Sequence, residues 1–247
     1  MSGNDEKSST GGKPPLQPGF FRRQAGKCAV ILTILGVTTG AVIWKDIHSD
    51  TVLRRIHHGL LLCMSGDTPQ NPHPDMVRLE LSAAKDGSVI AGPDNMPLRD
   101  ALKNARMARS LVMLSLNDVP PASVTDIIRK EGMRHRVILM ADDRQDARDA
   151  MKADQRILVG IPVSSSKEEE DARTLAGKHP YAVTLPASAP ASLFAKAHRD
   201  ADAVIADASD LPPASLETSA LLNRPVDIIV TDQSGQINSM MTEEAAD

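Results

Sequence analysis

Short runs of β-branched and aliphatic residues recur along the chain and break off at polar residues. They are LVMLSL (111 to 116), RVILM (136 to 140), RILVGI (156 to 161), YAVTL (181 to 185), AVIA (203 to 206) and VDIIV (226 to 230). Such runs are too apolar for strands with one face in water. Alternating with amphipathic segments of roughly ten to fifteen residues, they describe parallel strands covered by helices. Two earlier runs, at about 59 to 64 and 76 to 82, bring the count to eight. Eight is the closing number of a TIM-type (β/α)8 barrel, so an α/β barrel is the predicted fold class.

Helices are predicted at about 97 to 108, 120 to 131, 143 to 153, 167 to 177, 189 to 200 and 214 to 222. The second starts at Pro120-Pro121, carries Arg129 and Lys130 in its last turn, and is closed by Gly132. The fourth opens with Ser166 and Lys167 followed by three glutamates, and Gly177 closes it. Between the first two strands lies only SGDTPQNPHPD, through which no helix can run because prolines interrupt it. The expected barrel is therefore trimmed, lacking the helix after its first strand.

Ahead of the barrel, residues 1 to 27 are rich in Gly, Ser, Pro and charge and are expected to form a disordered tail. From Cys28 to Trp44 run 17 residues without a charge, with Arg22, Arg23 and Lys27 on the N-terminal side. Residues 28 to 45 thus read as one transmembrane anchor, with the N-terminus cytoplasmic and the barrel on the periplasmic or extracellular side of the inner (plasma) membrane. A cleaved signal ending near Thr39-Gly40-Ala41, or a buried helix, are the other readings. The barrel is assigned to residues 55 to 240 and a C-terminal tail to 241 to 247.

Aromatic residues make up only 2% of the chain and the net charge is -4. Few rings for stacking and no basic excess argue against nucleic-acid binding. Two cysteines, Cys28 and Cys63, imply neither a disulfide framework nor a zinc site.

Because chemistry in such folds gathers at the C-terminal ends of the strands, the residues there are the candidates. Asp118, Asp142, Asp143, Asp207 and Asp232 all follow strands and would form an acidic ring, although Asp142 and Asp143 also suit the N-cap of the next helix. The Lys167 to Asp171 run reads as a solvated first turn. Ser164, Ser165 and Ser166 lack a nucleophile elbow, and no Gly-rich phosphate loop is present.

The stretch MVRLELSAAKDGSVIAGPD (76 to 94), preceded by HHG (57 to 59), resembles the glycerophosphodiester phosphodiesterase family. MPLRDALKNAR (96 to 106), DIIRKEGMRHRVILMADDRQDARDAM (126 to 151) and VDIIVTDQ (226 to 233) extend the resemblance over roughly residues 56 to 240. It implies a barrel whose mouth admits a glycerol group, two histidines as acid and base, and three carboxylates holding Ca²⁺ or Mg²⁺ against a phosphodiester.

Carried over position by position, the resemblance matches the first His to His57 and keeps Gly59. Arg78 stands where the first metal-binding Glu belongs, and Glu80 replaces the Asp after it. Pro93 takes the place of the second His, while Asp94 keeps the aspartate that follows. Ser115 falls where another metal-ligating Glu is placed, and Asp232 matches the Thr-Asp closing the last strand. The path from Asp94 to Met96-Pro97 lacks the inserted segment common in the family.

Arg78 and Glu80 lie two apart on a strand, so they share a face, and an Arg78–Glu80 pair would satisfy the carboxylate without metal. His57 is either a residual acid or base or simply a solvated residue beside Arg54 and Arg55. If any ion site survives it rests on Glu80 and Asp94; otherwise no cofactor is expected. The leading expectation is a membrane-tethered, degenerate phosphodiesterase-like protein that binds a lipid headgroup, an envelope polymer or a membrane protein. The alternatives are an active metal-dependent phosphodiesterase rebuilt from His57, Glu80, Asp94 and a mouth aspartate such as Asp118 or Asp232, and a structural envelope protein.

Overall fold

The computed structural model describes residues 51–65, 75–209, 211 and 220–232, and the chain from Asp50 onward forms one compact unit. Its elements in order are α1 (Val52–Ile56), β1 (Leu61–Ser65), β2 (Met76–Ala83), β3 (Val89–Ala91), β4 (Met96–Pro97), α2 (Leu98–Ala108), β5 (Leu111–Ser115) and α3 (Pro121–Lys130). There follow β6 (Val137–Met140), α4 (Arg144–Ala153), β7 (Leu158–Pro162), α5 (Ser166–Ala176), β8 (Tyr181–Pro186), α6 (Ala191–Asp200), β9 (Ala203–Asp207) and β10 (Ile228–Thr231).

Eight of the strands pair in parallel in the order β1-β10-β9-β8-β7-β6-β5-β2, and β2 pairs back onto β1 to close the barrel. The eight-stranded α/β barrel anticipated from the sequence is thus present, with strand boundaries shifted by one or two residues. The segment 66 to 74, where no helix was expected, lies outside the described residues. So do the proposed anchor at 28 to 45, both tails, and most of the helix expected at 214 to 222. Among the described residues no helix is long and apolar enough to cross a membrane.

Side chains alternate across each strand and divide the apolar residues into two layers. One set, including Val112, Leu114, Leu139, Val159 and Val183, faces outward and packs under the helices with Leu102, Ile128 and Phe194. The other, including Leu61, Cys63, Met76, Met113, Ile138, Ile205 and Val230, fills the barrel interior. Gly160 belongs to that interior: a methyl added there would overlap the Met140 thioether, so the missing side chain is what lets Met140 cross the barrel.

Two features went unread in the sequence. Helix α1 closes the N-terminal end of the barrel, burying Val52 and Ile56 in the interior layer, with Val52 N–H donating to His135 O at 2.8 Å. Five residues are too few for a periodicity signal, so only the contact reveals it. At the other end β2 outruns the barrel, and its last residues pair antiparallel with β3, which pairs with β4. The Lys85-Asp86-Gly87 turn joining β2 to β3 is held by Asp86 Oδ1, which accepts from Ser88 N–H at 3.0 Å and from Ser88 Oγ at 2.7 Å. Gly87 supplies the φ of 80° that the turn needs.

Helix ends follow the expected chemistry. Asp143 caps α4, accepting from Gln145 N–H at 2.7 Å and Asp146 N–H at 2.9 Å. Helix α5 is capped by Ser165 Oγ, one residue ahead of the Ser166 read from the sequence, and Glu168 reaches back to Ser164 N–H at 2.7 Å.

Candidate functional site

The strand pattern MVRLE puts Met76, Arg78 and Glu80 on the inner face of β2, Arg78 at the C-terminal end of the barrel and Glu80 just above it. There the Arg78 guanidinium is the hub. Its Nε lies 3.0 Å from Glu80 Oε1 and donates to Ser115 Oγ at 3.1 Å. Its Nη1 donates to Asp207 Oδ2 at 3.2 Å, across the mouth from β2 to the end of β9. Asn117 Nδ2 donates to the other Glu80 oxygen at 2.6 Å. The Arg78 side chain is 25% exposed against 49% for Glu80 and 37% for Asp207, so the pairs are partly screened by water.

Two further contacts fix the cluster. Asp207 Oδ1 accepts from Ser209 N–H at 3.1 Å and Ser209 Oγ at 2.8 Å, which orients the carboxylate. Asn117 and Asp118 sit at φ 43° and 64°, and Val119 N–H donates to Leu116 O at 2.9 Å across them. Two consecutive left-handed residues suit Asn and Asp and bring the Asn117 amide over Glu80. Beneath Arg78, the fully buried Cys63 thiol is pushed far up from its ordinary pKa by burial, against the opposing pull of Arg78. It stays protonated and serves as core.

The remaining candidates fall around this hub or away from it. Pro93 and Asp94 sit exposed in the β3–β4 turn, which is tied to the site through Gly92 N–H donating to Glu80 O at 2.9 Å. Asp118 lies on the rim with Asp142, whose Oδ2 accepts from Asp118 N–H at 3.4 Å. Asp146 is held above the usual carboxylate range by burial first, then by Asp143, Asp142, Asp118 and Asp149. Asp232 follows β10 and is exposed at the same end.

His57 is not in this group. It follows α1 at the N-terminal end of the strands, its Nδ1 against Leu53 O, and lines a cavity of about 450 Å³ with His198, Asp202 and Asp227. The length of the barrel separates it from Arg78, because HHG precedes β1 instead of ending it.

Whether these residues suit a divalent cation can be read from the donors. Glu80 and Asp207 both already face the guanidinium, whose charge would repel a second cation at the same place. Ser115 offers a neutral hydroxyl that Arg78 occupies. Among the described residues no group of three or more His, Cys, Asp or Glu side chains converges as a metal site. The described residues do not fit the Ca²⁺ or Mg²⁺ that the resemblance implied.

Asn117 was missed by sequence reasoning, and its only signal was the Asn-Asp pair after a strand. Asp207 was one of five rim aspartates in the sequence; its pairing with Arg78, 129 residues away, was not predicted.

No protein-family model matches the chain, and no curated protein matches it in sequence. Solved structures do share its fold. A glycerophosphoryl diester phosphodiesterase from Parabacteroides distasonis superposes with a TM-score of 0.63 at 13% identity, covering 78% of this chain and 92% of that one. An Oleispira antarctica phosphodiesterase, solved with the product sn-glycerol-3-phosphate, gives 0.59 at 12% identity over 76% and 99% of the two chains. A glycerophosphodiester phosphodiesterase from Agrobacterium tumefaciens gives 0.54 at 13% identity over 73% and 99%. The chain has the fold of the glycerophosphodiester phosphodiesterases.

Proposed function

We propose that this chain is a membrane-tethered barrel of glycerophosphodiester phosphodiesterase type that has lost metal-dependent hydrolysis and acts by binding at the envelope. The observation that supports this most is the Arg78 guanidinium between Glu80 and Asp207. In a metal-dependent diesterase, carboxylates at a barrel mouth gather a cation that neutralises charge on phosphate oxygens. Here a fixed side-chain cation takes Glu80 and Asp207, and His57, the histidine that the resemblance matched, lies at the other end of the barrel.

Among the described residues the mouth retains a polar cluster with one cation and two carboxylates, rimmed by Asp94, Asp118, Asp142 and Asp232. Its charge favours a ligand that brings cationic or hydroxyl donors, and disfavours a bare phosphate. A lipid headgroup or an envelope polymer bearing such groups is therefore the partner this reading names. The 17-residue apolar segment ending at Trp44 supports the tether and the exported position.

The test is turnover. The full chain in detergent is incubated with a panel of glycerophosphodiesters, with Ca²⁺, with Mg²⁺ and with chelator, and glycerol phosphate release is measured. No release above a heat-treated control is expected. Metal-dependent release that disappears in Glu80→Gln would overturn the proposal and leave a phosphodiesterase with a rebuilt site.

A further inference from the structure

The end of the barrel opposite the mouth is differently built. Between the last turns of α4 and α5 lies a groove of about 440 Å³. Arg148, Lys152, Lys178 and His179 rim it, and Met151 and Leu175 are among the apolar residues of its floor. Among the described residues no carboxylate lines it. Lys152 is bonded to Asp149 and Arg148 to Gln145, both at the helix surface, while Lys178 makes no ion pair among the described residues. Both ring nitrogens of His179 face carbonyl oxygens, of Pro180 at 2.8 Å and Asp154 at 3.0 Å, which fixes the ring at the groove's edge.

Helix C-termini gather at this end and attract one or two cations each. Three long cationic side chains around an apolar floor go beyond that, because such side chains lay their stems on apolar surface and hold their charges outward. On the same end, in the last turn of α2, Met107 is 75% exposed with Arg109 two residues beyond it. Thr51 and α1 stand at this end as well.

We infer that this basic end, with the α4–α5 groove at its centre, is a docking surface for anionic phospholipid. Apolar floor, cationic rim and a protruding methionine match a lipid surface, where juxtamembrane Lys and Arg are drawn to anionic headgroups. The inference rests on the tethered reading, which brings the chain to a lipid surface.

The experiment is hydrogen exchange of the full chain reconstituted in phosphatidylcholine vesicles, with or without phosphatidylglycerol. Amides at 148 to 155 and 175 to 179 are expected to slow by about tenfold with phosphatidylglycerol, and high salt is expected to cancel the change. Arg148→Glu with Lys178→Glu is expected to remove it at an unchanged thermal midpoint; the milder Arg148→Gln with Lys178→Gln serves if the reversal unfolds the chain. Equal exchange in both vesicles, or slowing confined to the mouth turns near 86, 118 and 142, would overturn the inference. Tethering is read separately, by flotation with neutral vesicles in high salt. If the chain does not float, adding it to preformed anionic vesicles still tests the groove by the same amides.

Discussion

The mouth and the opposite end of this barrel are made from the same strands and carry opposite chemistry. The mouth brings aspartates and Glu80 around Arg78, joined by contacts that span 37 and 129 residues of sequence. The opposite end carries Arg148, Lys152 and Lys178 around an apolar groove, all drawn from two neighbouring helix ends. Part of the difference follows from the fold: helices run back antiparallel to the strands, so their N-termini and acidic caps face the mouth and their C-termini and basic turns face away. The rest is particular to this chain. At the centre of the mouth Arg78 is matched by Glu80 and Asp207, whereas the groove carries cationic side chains on its rim.

If Arg78 is what excludes a cation from the mouth, Arg78→Glu will create a cluster of carboxylates that is unstable alone and responsive to metal. Ca²⁺ at about a hundredfold excess over its Kd is expected to add about 2.7 kcal/mol to the variant, seen as a rise in Tm, and nothing to the parent. A parent that gains equally would show that the guanidinium does not govern the site.

A smaller effect is expected from Arg78→Ala, which leaves Glu80 and Asp207 facing each other across the mouth. Loss of about 2 kcal/mol in denaturant unfolding is expected, less than for a buried pair because all three side chains keep some water. The Gly160→Ala change tests the packing between the two ends. The added methyl meets the flexible end of Met140, so about 1 kcal/mol is expected, and Met140→Ala in the same chain should recover part of it.

The smallest effect is at Asp146. Its folded pKa is raised, so between the unfolded and folded values the native chain holds more protons than the unfolded one, and stability falls as pH rises through that window. Asp146→Asn should therefore raise stability at neutral pH, by no more than about 0.5 kcal/mol, with the gain vanishing below the carboxylate range. A loss at neutral pH would mean that the first-turn charge of α4 outweighs its acidic neighbours.

The parallel strands were legible because residues such as Val137 to Met140 are apolar on both faces, which only a strand covered on both sides tolerates. The Asp143 cap and the glycines after α3 and α5 were legible for a similar local reason. The Arg78–Glu80 pair followed from strand alternation and was expected. His57 shows the limit: a matching His-x-Gly spelling placed it with the site, yet three residues of offset from β1 put it at the other end of the barrel. Spelling carries no register, and register decides to which end and face a side chain belongs.

What the sequence determined by itself was therefore the local chemistry: which runs become strands, where helices start and stop, and which residues share a strand face. Only the tertiary structure decided which strand ends meet. Closure of β2 against β1 and the stagger of β9 across the mouth bring Arg78 to Asp207, and the stacking of two helix ends brings Lys152 to Lys178. Both depend on distances between residues far apart in the chain, which no local periodicity encodes.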